Sequence, residues 1–170
     1  MPVDYKADMM SDLRKHLWSG LTNAGIFTAE DYYSENLIAN IIPILPVQQQ
    51  PEMDQFLSGK KHIVYDKIGM SYEENWVICC EQILLTIYAT DYSDISEIRN
   101  FIVDQYRRMD ESARDTNKFA GVSSKFKFYS IFVADISETA PSEELAGFFS
   151  SDVVLEVKYS RHVGTDGRFL

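Results

Sequence analysis

The sequence predicts an α+β domain: a mainly antiparallel β-sheet with an N-terminal helix and a central amphipathic helix packed on one face. Three observations predict it. Residues 76–89 are rich in Val, Ile, Leu, Tyr and Thr, residues that suit extended chain. Directly afterwards the apolar period changes. Ile95, Ile98, Ile102, Tyr106 and Met109 recur at helical spacing and form one stripe. Two later runs, 124–134 and 153–159, read as further strands. A long strand leading straight into a long amphipathic helix needs a sheet beneath it.

In chain order, residues 1–7 read as a loose arm. A first helix is expected over residues 8–24. Met10, Leu13, Leu17 and Leu21 form its apolar stripe, Trp18 lies beside them, and Gly25 ends it. Residues 26–40 leave two readings open. Thr28–Asp31 can open a helical turn, and Tyr32 and Tyr33 are equally at home in a loop. Residues 41–47 contain Pro43 and Pro46, which remove two ladder donors, so this is an edge strand. A helical turn over 52–57 follows, ended by Ser58 and Gly59. Residues 61–68 read as a strand closed by Gly69, forming an antiparallel hairpin with 74–89.

Ser93 or Asp94 is the expected cap of the central helix over residues 94–112, and Asp94 with Glu97 has the spacing of a capping box. Residues 110–121 read as a polar, mobile connection. In the strand over 124–134, Phe126, Phe128, Ser130 and Phe132 are expected on one face, with Tyr129, Ile131 and Val133 on the other. Residues 135–145 hold Glu138, Pro141, Glu143 and Glu144 and read as an acidic loop. In the last strand Val153, Leu155 and Val157 alternate against Val154, Glu156 and Lys158. Residues 161–170 read as a free tail, all within a single domain over 1–170.

Composition narrows the function. Apolar content of 45% and aromatic content of 13% exclude a disordered chain. The formal charge of −10, from 26 acidic and 16 basic residues, argues against a dedicated nucleic-acid binder, because phosphate contacts need clustered cations. Lys60-Lys61 and Arg107-Arg108 are too small to make such a patch. Cys79 and Cys80 are strand neighbours whose side chains point to opposite faces, so a bridge between them is not expected. Residues 1–12 carry three Asp and no apolar run, so no signal peptide is expected, and no run is long and apolar enough for a membrane helix.

No spacing of catalytic, phosphate-binding or metal-ligating type occurs. His16, His62 and His162 are far apart, and the pairs Glu30-Asp31, Glu73-Glu74 and Glu143-Glu144 lack the alternating oxygen ligands of a calcium loop. No catalytic residue, cofactor or metal is therefore expected, and the chain does not read as an enzyme.

The order of elements resembles the tail-terminator (tail-completion, neck) proteins of long-tailed bacteriophages. The likeness covers residues 8–160: an opening helix, a proline-marked extended stretch, a β-hairpin, a helix on the sheet, and two strands around an acidic loop. The chain then closes on Leu155-Glu-Val-Lys-Tyr-Ser-Arg161. This resemblance implies a structural virion protein, assembled in the host cytoplasm, that forms a homohexameric ring. Such a ring caps the tail tube, stops its growth and meets the neck or connector proteins of the head.

One domain of this size has a radius of gyration of about 15 Å, so enclosing DNA needs a closed ring. An acidic lumen would let DNA pass without holding it. The loops over 48–60 and 135–145 supply the candidate contacts with the next subunit or the tube: Gln48, Gln49, Gln50, Met53, Phe56, Glu138, Glu143 and Glu144. The alternatives are another head–tail connector or neck-completion protein, and a non-viral cytosolic interaction adaptor.

Overall fold

Five strands lie side by side in the order β3-β4-β5-β8-β6 in the computed structural model, which describes residues 6–73, 78–121, 124–163 and 168–169. They are β3 (Ile44–Pro46), β4 (His62–Tyr72), β5 (Cys79–Ala89), β6 (Phe126–Ile136) and β8 (Phe149–Val163). All neighbours are antiparallel except β3, which runs parallel to β4 over three residue pairs. A small hairpin of β1 (Tyr33–Ser34) and β2 (Ala39–Asn40) stands outside this sheet. Three helices pack on one face: α1 (Met10–Asn23), α3 (Tyr92–Tyr106) and α4 (Asp110–Ala120). The α+β expectation is met.

The core lies between that face and the helices. Met10, Leu13, Leu17 and Leu21 of α1 meet Ile95, Ile98, Ile102 and Tyr106 of α3 over Ile63, Ile83, Leu85, Ile87, Val153, Leu155 and Val157 of the sheet, all buried. The apolar stripes therefore face where their spacing says. Met109 is the exception. It is 49% exposed with φ +40°, because it forms the corner between α3 and α4.

Gly25 ends α1 as expected. At φ +73° it lets the Ala24 and Ile26 N–H groups donate to the Gly20 and Leu21 carbonyls. Gly25→Ala should lower stability by about 1 kcal/mol through left-handed strain alone, since a methyl there would touch nothing within 4 Å. A urea midpoint unchanged from wild type would contradict this.

Several expectations need correction. The cap of α3 is Asp91, neither Ser93 nor Asp94. Its carboxylate accepts from the Ser93 N–H at 2.9 Å, so the helix starts earlier and Asp94 lies in its first turn. The polar stretch 110–120 is helix α4. Its buried face is built from Ser112, Ala113 and Thr116, which makes no apolar stripe. The two hydroxyls donate instead to the Gln105 and Ser112 carbonyls.

Gly69 does not close β4. The register shifts by one residue between Lys67 and Gly69, and pairing continues to Tyr72. On the other side of the hairpin, β5 begins at Cys79, and residues 74–77 lie outside the described part. A second bulge, between Phe128 and Ser130, swaps the faces of β6. Ile131 and Val133 join Phe126 and Phe128 towards the core, while Phe132 pairs with Glu156 on the opposite face.

Three short elements settle the connections: the helical-turn reading holds for 29–32, the turn expected over 52–57 lies earlier, and the expected acidic loop carries a short strand. Ala29–Tyr32 is a 3-10 turn, α2 is Gln50–Met53 with Pro51 in its first turn, and β7 (Ala140–Pro141) pairs with β8. Part of the expected tail is strand: β8 runs to Val163, and β9 (Arg168–Phe169) folds back on it.

Candidate interaction surface

The face of the sheet away from the helices alternates with the core-facing one. Cys80, Leu84 and Thr86 of β5, Asp152, Val154, Glu156 and Lys158 of β8, and Phe132 of β6 are half-buried there. Thr86 Oγ1 donates to Asp152 Oδ1 at 2.8 Å, and Cys80 Sγ to Glu156 Oε1 at 3.5 Å. At one end the face is covered. His62 stacks on Tyr88 with ring centroids 5.2 Å apart, and Phe148 meets both rings edge-on. The Tyr88 phenol donates to Glu144 Oε2 at 2.8 Å and also contacts the Gln50 side chain. Burial, followed by the Glu144 carboxylate, holds that phenol well above its ordinary value.

Two of the sequence-selected contact residues, Gln50 and Glu144, thus converge on Tyr88. Gln48 and Gln49 are exposed on a 3-10 turn, and Glu138 and Glu143 are exposed on their loop. Met53 and Phe56 are half-buried against the core, with Lys60 Nζ 4.5 Å above the Phe56 ring.

The two edges of the sheet are treated differently. The first half of β6 is guarded by α4. The Asn117 amide donates to the Phe128 carbonyl and accepts from the Phe128 N–H, both at 2.8 Å. The Ile131 N–H donates to the Met109 carbonyl at 3.3 Å. Beyond that point Ala134, Asp135 and Ile136 are exposed. On the opposite edge β3 covers β4 only over Ile63–Tyr65. Among the described residues no strand flanks β4 from Asp66 to Tyr72, where Ile68, Met70 and Tyr72 are 50%, 62% and 51% exposed. Reading Gly69 as the end of the strand hid this edge. The alternation of Ile68, Met70 and Tyr72 continuing across the glycine is the signal that marks it.

Buried polar groups elsewhere hold the fold together. Gln105 Nε2 donates to His16 Nδ1 at 3.1 Å, where α1, α3 and α4 meet. A cleft of about 540 Å³ opens beside it, lined in part by Gly20, Phe101 and Phe119. His62 Nδ1 lies 2.8 Å from the Lys60 carbonyl, to which it donates, leaving the buried Nε2 without a partner among the described residues. Burial pushes both imidazoles below the ordinary histidine value. In the unfolded chain they take up protons near pH 6.5, so falling pH favours unfolding. Stability should therefore decline as pH drops below about 6.5, and His16→Gln with His62→Asn should flatten that decline. Urea midpoints equal at pH 7.5 and 5.5 in the wild type would contradict it.

No group of three His, Cys, Asp or Glu side chains could hold a metal ion among the described residues. No helix there is long and apolar enough to cross a membrane. A scan of protein-family models and a search of curated proteins found no match to this chain.

Proposed function

We propose that this protein is a structural ring subunit of the tail-terminator kind. Copies would join into a homohexamer that caps a phage tail tube, stops its polymerisation and receives the neck or connector proteins of the head. It would do no chemistry of its own. One observation carries the reading: among the described residues, the sheet has its three long helices on one face and a stretch without a flanking strand on each of its edges. Such a layer can be continued by a neighbouring copy. The element order of the tail-terminator resemblance supports the viral assignment, and the charge of −10 suits a lumen through which DNA slides.

The experiment is light scattering over a concentration series, with negative-stain images, alone and with a tail-tube protein. The expected species is a ring of six 19.5 kDa chains that binds tube ends. A monomer under all of these conditions would overturn the reading. The open β4 edge also favours a second reading, an adaptor that takes an extended peptide as an added strand. That reading predicts a monomer which binds extended peptides.

A further inference from the structure

We infer that the ring seam is a strand pairing. The edge of β4 over residues 66–71, which no described strand flanks, takes the far end of β6, residues 132–136, from a second copy, head to tail. This rests on the self-assembly reading and names the surfaces that would serve it.

Four features carry the assignment. First, the two open stretches lie on opposite edges of one sheet. An edge of one copy can therefore meet the other edge of the next, and the sheet continues in one sense. Second, the directions match. β4, β5, β8 and β6 alternate, so β4 and β6 run opposite ways. Copies related by rotation about an axis near the strand direction would bring β6 beside β4 antiparallel, with the perpendicular hydrogen bonds, in alternating close and wide pairs, of that arrangement. All copies then point the same way, and the ring has two different ends. Third, apolar side chains are exposed on both stretches. Ile68, Met70 and Ile136 are three of the eleven large apolar side chains left exposed among the described residues. Fourth, Gly69 sits in the middle of the β4 stretch, where a missing side chain permits close approach of another backbone.

The occupant is a second copy, because this chain supplies both halves of the pairing. Heterologous contacts of this kind close into rings or run on as fibres, whereas pairing β4 with itself would stop at two copies. The guard on the first half of β6, Asn117 with Met109, confines the donor stretch to its far end, where the register shifts again between Val133 and Asp135 and the Ile136 N–H donates to Asp135 Oδ1 at 2.9 Å, a contact that pairing with β4 would replace.

The test uses the full chain with Met70→Lys and Ile136→Lys, two exposed positions, with circular dichroism to check that each variant folds. Each variant alone should fall from the ring mass to 19.5 kDa. Mixed one to one, each retains the half the other lacks, so a two-chain species should appear and no ring. If both variants assemble like the wild type, the seam lies elsewhere and the inference fails while self-assembly stands. If Met70→Lys breaks assembly and Ile136→Lys does not, β4 pairs with itself or with another partner, and the head-to-tail assignment is overturned. A wild type that stays monomeric alone and with tail-tube protein removes the self-assembly reading itself.

Discussion

Asn117→Ala should lower the unfolding free energy by about 2–4 kcal/mol and make the protein associate edge to edge. The amide of Asn117 stands in for a missing neighbouring strand, meeting both main-chain groups of Phe128 at 2.8 Å. Phe128 is only 2% exposed, so water replaces those partners poorly. Losing the amide leaves a donor and an acceptor unmet, each worth about 1–3 kcal/mol. It also uncovers the first half of the β6 edge, and an unguarded strand edge recruits other strands. Asn117→Asp should fall between, because it still accepts from the N–H but cannot donate to the carbonyl. Urea denaturation and light scattering check both effects. A stability change under about 0.5 kcal/mol without association would show that the bulk of α4, and not this amide, closes the edge.

The second large effect concerns a buried carboxylate. Glu81 points to the core face of β5, and its side chain is 5% exposed. Oε1 accepts from the Tyr159 hydroxyl at 2.8 Å, while Oε2 has no hydrogen-bond partner among the described residues and lies 3.7 Å from Lys67 Nζ. Burial, then the neighbouring Glu81 carboxylate, pushes the Tyr159 phenol far above its ordinary value. It stays a proton donor over the whole working range.

Lys67→Met would strand the carboxylate. Removing one partner of a fully buried pair costs about 3–5 kcal/mol. Lys67 is 38% exposed and shares its charge with Asp8 at 2.8 Å, so we expect about 2–3 kcal/mol after solvent screening. Adding Glu81→Gln should recover most of the loss, because it removes the buried charge that Lys67 had balanced while an amide oxygen still accepts from the Tyr159 hydroxyl. A double-mutant cycle measures this directly. A double variant no more stable than Lys67→Met would show that Lys67 acts through Asp8 and the N-terminal segment instead.

Legibility from the sequence followed the nature of each buried face. Where the core is bought with branched aliphatics, as on α1, α3 and β8, spacing alone places Leu17, Ile98 and Leu155 correctly. α4 escaped because its inner face is Ser112, Ala113 and Thr116, whose burial depends on local hydrogen bonds that spacing does not show. The bulges at Tyr129 and Ile68 escaped for a different reason. A two-residue period assumes unbroken register, and one inserted residue turned Phe132 outward and hid the continuation of β4 past Gly69. The open edges are products of topology. Among the described residues they arise because β3 stops at Pro46 and the guard from Met109 reaches only to Ile131, and distances along the chain encode neither.

The adjacent cysteines have a use as a chemical reporter. Cys79 is 4% exposed towards the helices, while Cys80 is half-buried on the opposite side of the same strand. Burial, with the Glu156 carboxylate beside it, raises the Cys80 thiol to about 11, so alkylation there is slow at neutral pH and responds sharply to any cover. Mass spectrometry of labelled peptides would then read the two sides of the layer from neighbouring residues. Cys80 would lose labelling when something lies over the open side, and Cys79 would gain it only when the helices lift away.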